Sequence, residues 1–103
     1  MDIQHVGVVG AGQMGSGIAH VFALAGFDIL MTDISAEGLA KAVALIDRNI
    51  ERQVSRGKVT AEAKAKALGH IKTTLKLAEL GVCDLIIFAP RDRHVCKIYF
   101  AFY

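Results

Sequence analysis

Cysteine is scarce. Cys83 and Cys96 are the only two in 103 residues, too few for a disulfide framework and at no metal-ligand spacing. A reduced, cytoplasmic setting is therefore expected, with no metal. Proline occurs once, at Pro90. No Pro- or Ser-rich linker, internal repeat or low-complexity tract divides the chain, and its length suits one domain. Neither sign of charge dominates: Lys+Arg number 12 against Asp+Glu 10, a net charge of +2, which excludes a dedicated nucleic-acid binder. The chain opens Met1-Asp2 with no basic n-region, so no secretory signal is expected. Apolar runs such as 18–27 are interrupted, here by His20, and fall short of the roughly 18–20 residues a membrane helix needs.

What is abundant is apolar surface. Hydrophobic residues make up 53% of the chain, which excludes general disorder. Charge balances to zero over residues 1–90. The whole excess lies in the last thirteen residues, where Arg91, Arg93 and Lys97 face only Asp92. Composition changes at Pro90.

The segment His5-Val6-Gly7-Val8-Val9 is short, β-branched and closed by Gly10, which suits a buried strand. Met14, Ile18, Phe22 and Ala25 then recur at helical spacing up to Gly26. Residues 27–32 (FDILMT) read as a second strand ending at Asp33. Ser35 offers an N-cap, with Glu37 in the first turn, to a long helix over about 36–56. Its apolar face is Leu39, Val43, Ile46, Ile50 and Val54, and Gly57 stops it. Thr60 caps a shorter helix ending near Gly69. Residues 70–74 are a weak strand, 75–80 a short helical turn, and 83–89 an apolar strand that Pro90 ends. Strands alternating with helices predict an α/β fold with a parallel sheet and right-handed crossovers.

The glycines Gly10, Gly12 and Gly15 lie between the first strand and the first helix. Gly10 would permit a tight turn, Gly12 a close approach of a pyrophosphate, and Gly15 close packing of helix on strand. The turn Gly10-Ala11-Gly12-Gln13-Met14-Gly15 holds no cation, so backbone N–H groups and the helix dipole must receive the phosphates. No G-K-[ST] follows, which excludes a Walker A loop. Asp33 stands eighteen residues beyond Gly15, where a carboxylate accepts from ribose hydroxyls and repels a 2′-phosphate. NAD is favoured over NADP. FAD, S-adenosylmethionine and a purely structural turn are the other readings.

The run GAGQMGSGIAHVFALAGFDILMTDIS, with Asn49-Ile50-Glu51-Arg52-Gln53-Val54, Gly57-Lys58, His70-Ile71-Lys72-Thr73-Thr74 and Asp84-Leu85-Ile86-Ile87, resembles the N-terminal NAD-binding domain of the 3-hydroxyacyl-CoA dehydrogenase family. The resemblance covers about residues 3–87. It implies a Rossmann-type sheet, incomplete at about four strands, over residues 1–87, and NAD held by residues 10–15 and Asp33. The implied reaction is oxidation of an (S)-3-hydroxyacyl-CoA, such as 3-hydroxybutyryl-CoA, to the 3-ketoacyl-CoA in fatty-acid or butanoate metabolism. It also implies CoA near the long helix and the turn after it. The residues agree: Arg48, Arg52 and Arg56 share one helix face, followed by Lys58, Lys64 and Lys66, a surface suited to CoA phosphates. Arg56 and Lys58 are the expected contacts. A solvated basic face is the competing reading.

After Ile87 the family pattern has Glu-Ala and a second Glu three residues on, where this chain has Phe88-Ala89-Pro90-Arg91-Asp92. The resemblance makes Asp92 and Lys97 cofactor contacts and the tail 88–103 helical, diverged or altered by a frameshift. The family's catalytic His, its orienting Glu, and a Ser and an Asn fall beyond Tyr103. His5, His20, His70 and His94 match none of them, so no catalytic residue is assigned. The expectation is an NAD-binding portion that is inactive alone, acts on a CoA thioester only when a C-terminal domain completes it, and associates through uncovered apolar faces. Non-catalytic service is the alternative, as in the lens crystallin of this family or a product without independent function.

Overall fold

The computed structural model describes residues 3–89 with their side chains and residues 97–100 by backbone alone. The order is β1 (His5–Val9), α1 (Gln13–Leu24), β2 (Asp28–Thr32), α2 (Ala36–Ser55), α3 (Ala61–His70), β3 (Ile71–Thr74), a 3₁₀ helix (Leu77–Val82), β4 (Leu85–Phe88) and β5 (Lys97–Phe100). Both anticipated caps form: Ser35 Oγ accepts from the Gly38 N–H at 3.0 Å, and Thr60 Oγ1 from the Ala63 N–H at 3.0 Å. Each satisfies a backbone donor that the first helical turn leaves over.

The sheet runs β3-β2-β1-β4-β5. The first four strands are parallel, as the alternation of elements requires. β5 corrects the helical expectation for the tail. Residues 97–100 (KIYF) pair antiparallel with β4, Lys97 opposite Phe88 and Phe100 opposite Leu85. A β-branched and aromatic segment can satisfy its backbone on the free edge of β4, and the sheet thus continues past residue 87.

Because β1, β2 and β3 step in one direction, their connecting helices lie together. α1 packs against both α2 and α3. Val6, Val8, Ile29, Met31, Leu85 and Ile87 alternate onto the helix-covered face and form the core with Leu39, Ala42, Ile46 and Ile50 of α2. The buried face of α1 differs from the expected stripe. Gly15, Ser16, Ala19 and Ala23 are buried, while Met14, Ile18 and Phe22 pack at the flank and Ala25 is exposed. Small residues face the sheet because α1 starts directly from the turn and has no room to stand off. On the opposite sheet face Leu80 and Cys83 are buried over Gly7.

Ile50 is fully buried, so Ile50→Ala should cost about 2–5 kcal/mol. Urea unfolding checks this; a loss below about 1 kcal/mol would contradict the packing described. Ser16 Oγ is buried with no hydrogen-bond partner among the described residues, and an unmet buried hydroxyl is unfavourable. Ser16→Ala should therefore leave the midpoint unchanged or raise it.

Candidate functional site: the glycine turn at the ends of the parallel strands

The turn 10–15 sits at the carboxyl ends of β1, β2 and β4, the crevice where open parallel sheets bind ligands. Backbone bonds fix it there. The Gly10 N–H donates to Thr32 O at 2.8 Å, and the Ala89 N–H to Val9 O at 2.8 Å. Gly10 has φ +109°, and a Cβ there would lie 2.2 Å from Ala89 O. A Cβ on Gly15 would lie 1.8 Å from Gly10 O. Neither position accepts a side chain.

Gly12 is the N-cap of α1. No side chain caps this end and no acid stands in its first turn. An anion is thus the complement of the helix start. Gln13 is exposed, Ala11 and Gly15 are buried, and Met14 is half-buried against the core. The backbone of this segment, more than its side chains, is what the turn offers a ligand.

Asp33 follows β2 directly. Its Oδ2 accepts from the Ala11 N–H at 2.8 Å, and its Oδ1 from the Ser35 N–H at 3.3 Å. The carboxylate therefore has a second task beyond the one read from sequence: it ties the glycine turn to β2. Together, a cradle that excludes Cβ atoms, an uncapped helix start and an adjacent half-buried carboxylate fit a dinucleotide. Lys97 pairs through its backbone with Phe88 at this same end of the sheet. Asp92 lies outside the described residues.

Arg56 and Lys58 are elsewhere, on α2 and the turn after it. Arg48, Arg52 and Arg56 line a groove of about 520 Å³ with Asp47, Glu51 and Lys64. Lys58 is exposed but does not line it. Lys64, from α3, bonds Asp47 Oδ1 at 2.8 Å and Glu51 Oε2 at 2.5 Å. The Asp47 bond, then the Glu51 bond, holds its ammonium above the usual lysine value. Sequence reading placed Lys64 among the free cations. The signal it missed is the i,i+4 carboxylate pair Asp47 and Glu51.

The three histidines among the described residues stand away from the turn. His5 opens β1 and His70 ends α3, both beside Asp28 at the opposite end of the strands. His70 Nδ1 is 2.7 Å from Asp28 Oδ1, and His5 Nδ1 3.7 Å from Oδ2. His20 Nε2 is 2.8 Å from Gln53 Oε1, joining α1 to α2. None of the three is set to act on a ligand at the glycine turn. Among the described residues no His/Cys/Asp/Glu group could hold a metal. No helix there is long and apolar enough to cross a membrane.

The family model for the 3-hydroxyacyl-CoA dehydrogenase NAD-binding domain matches residues 5–98. The chain belongs to this family. NAD is the family's cofactor. The 3-hydroxybutyryl-CoA dehydrogenase of Bradyrhizobium diazoefficiens is 56% identical over 95 residues, which are 92% of this chain and 32% of that protein. The 3-hydroxyadipyl-CoA dehydrogenase of Escherichia coli is 39% identical over 102 residues, 98% of this chain and 22% of the relative. Among solved structures, (S)-3-hydroxybutyryl-CoA dehydrogenase from Ralstonia eutropha superposes with a TM-score of 0.85 at 37% identity, covering 88% of this chain and 32% of the other. The chain thus spans a third or less of the length of these relatives.

Gly15→Ala should abolish NAD binding in calorimetry, because the 1.8 Å approach to Gly10 O forces the turn apart. Retained affinity would contradict the geometry. Acid should also loosen this sheet. Asp84 Oδ2 accepts the Gln4 and His5 N–H groups at 3.0 and 3.1 Å, and these bonds, Gln4 first, hold its carboxyl below the usual range. The His70 bond does the same for Asp28. A depressed carboxylate stabilises the fold above its ordinary pKa and loses that contribution as pH falls, here below about 4. Between about pH 5 and pH 2, the urea midpoint of Asp84→Asn should fall less steeply than the parent's. Parallel curves would contradict this.

Proposed function

We propose that this chain is the NAD-binding portion of a dehydrogenase that oxidises an (S)-3-hydroxyacyl-CoA, with 3-hydroxybutyryl-CoA as the leading substrate, to the 3-ketoacyl-CoA. The observation that carries the reading is Asp33 tied to the glycine turn through the Ala11 N–H at 2.8 Å, in a chain 56% identical to a 3-hydroxybutyryl-CoA dehydrogenase. NAD supplies the hydride acceptor. The chain's own part is to seat the pyrophosphate on Gly10–Gly15 and the start of α1, to take ribose hydroxyls on Asp33, and to repel a 2′-phosphate there. Asp92 and Lys97 contribute further contacts to the cofactor. Arg56 and Lys58 hold CoA phosphates beside α2.

Hydride transfer from a carbinol also needs a base on its hydroxyl. Among the described residues no histidine stands at the glycine-turn end of the sheet, and in this reading these residues bind cofactor and supply no catalytic base. A catalytic domain beyond them completes the site. Fatty-acid or butanoate oxidation in the cytoplasm is the metabolic setting, with self-association through the sheet face that the helices leave uncovered. A dinucleotide-binding chain with no catalytic partner is the second reading, favoured by the positions of the histidines.

Calorimetric titration tests the proposal. The parent should bind NAD saturably and NADP at least about tenfold more weakly, and Asp33→Ala should lose about tenfold or more for NAD, as expected for hydrogen bonds to a charged group. Equal binding of NAD and NADP would refute the role given to Asp33. Ordinary turnover of 3-hydroxybutyryl-CoA by the 103-residue chain would refute the missing base.

A further inference from the structure

The three arginines of α2 present an electrostatic problem. Arg48, Arg52 and Arg56 stand at i, i+4 and i+8, a spacing at which like charges repel. Among the described residues none of them makes an ion pair, although Asp47 and Glu51 line the same groove. Glu51 is three residues from Arg48 and well placed on the helix to neutralise it. It does not, because both carboxylates are already engaged by Lys64. That ammonium bonds Asp47 at 2.8 Å and Glu51 at 2.5 Å, with its side chain only 22% exposed against 52% and 56% for the two acids.

We infer that Lys64 is a positioning residue for an anion site. By holding Asp47 and Glu51 it keeps the ladder Arg48–Arg52–Arg56 unneutralised and open to a polyphosphate. The inference rests on the CoA reading given above, and it adds Arg48 and Arg52 to the contacts together with the residue that keeps them available. With Lys64 in place, four cations face two anions across the groove. Without it, three cations face two, and Glu51 is released toward Arg48. Guanidinium groups suit phosphate oxygens through paired N–H donors. The groove, at about 520 Å³, has room for a phosphorylated nucleotide handle. α3 therefore does more than fill the crossover to β3, because it delivers the charge that settles which groups of α2 stay paired.

The test uses coenzyme A itself, titrated against the 103-residue chain at low and moderate salt, with NAD titrated in parallel. Lys64→Met keeps most of the aliphatic stem and removes the charge. It should weaken coenzyme A binding about three- to tenfold, as loss of one close charge allows, and leave NAD affinity unchanged. Lys64→Arg should restore binding to near the parent's. In the Lys64→Met background, Glu51→Gln should also restore it, since no carboxylate then competes for Arg48. A purely structural role for Lys64 would not produce that second rescue. If Lys64→Met fails to bind NAD as well, the comparison passes to Glu51→Gln in the parent, which should bind coenzyme A at least as tightly as the parent does. Unchanged coenzyme A binding by Lys64→Met, or no rescue by Glu51→Gln, overturns the inference. If the parent binds no coenzyme A, the CoA reading fails. The inference then stands only if inorganic tripolyphosphate binds the parent and loses affinity in Lys64→Met, and it falls if tripolyphosphate does not bind.

Discussion

The space between Gly15 and the carbonyl of Gly10 is the constraint on which the rest of this structure depends. A Cβ on Gly15 would sit 1.8 Å from that oxygen, so helix α1 approaches β1 as closely as backbone allows. The consequences run outward from there. The residues of α1 that face the sheet must be small, and they are: Ser16, Ala19 and Ala23. The larger Met14, Ile18 and Phe22 are displaced to the flanks, where Phe22 meets Phe27 edge-on with ring centroids 5.4 Å apart. Volume lost beneath α1 is recovered by α2, whose Leu39, Ile46 and Ile50 fill the neighbouring core.

The same closeness explains how a short glycine-rich turn keeps one shape. Glycine is entropically expensive to fix. The turn is held from three sides: β2 through Thr32, the residue after β4 through Ala89, which bonds Val9 and walls Gly10, and the segment after β2 through Asp33. A turn built largely of backbone needs this support, since its glycines have no side chains with which to hold a shape.

Much of this was legible in the residues. Every strand and helix between His5 and Phe88 follows from apolar period, cap and turn chemistry, because those signals are local. The glycine spacing and Asp33 point to the turn at the carboxyl ends of the strands for the same reason, and the structure joins the two through the Ala11 N–H. The errors are non-local. Ala42 rather than Val43 is buried on α2, since helix packing selects the smaller neighbour. Residues 97–100 carry an apolar pattern that a helix and an edge strand share, and only the free edge of β4 decides between them. Lys64 looked like one more cation, and its role depends on α3 folding back against two acids thirteen and seventeen residues earlier. The Asp28 cluster joins the beginnings of β1 and β2 to the end of α3, a meeting that no spacing announces.

Ala89 directly follows β4 and is the wall behind Gly10, with its N–H donated to Val9 O. The turn therefore holds this shape only while β1, β2 and β4 are joined. A ligand bound at the turn would be thermodynamically linked to the sheet. A ligand that recognises only the assembled form stabilises it by mass action, about 2.7 kcal/mol at a hundredfold excess over its dissociation constant. That is a large share of a domain's stability. A dinucleotide seated there would act as a folding partner for this chain as much as a reactant.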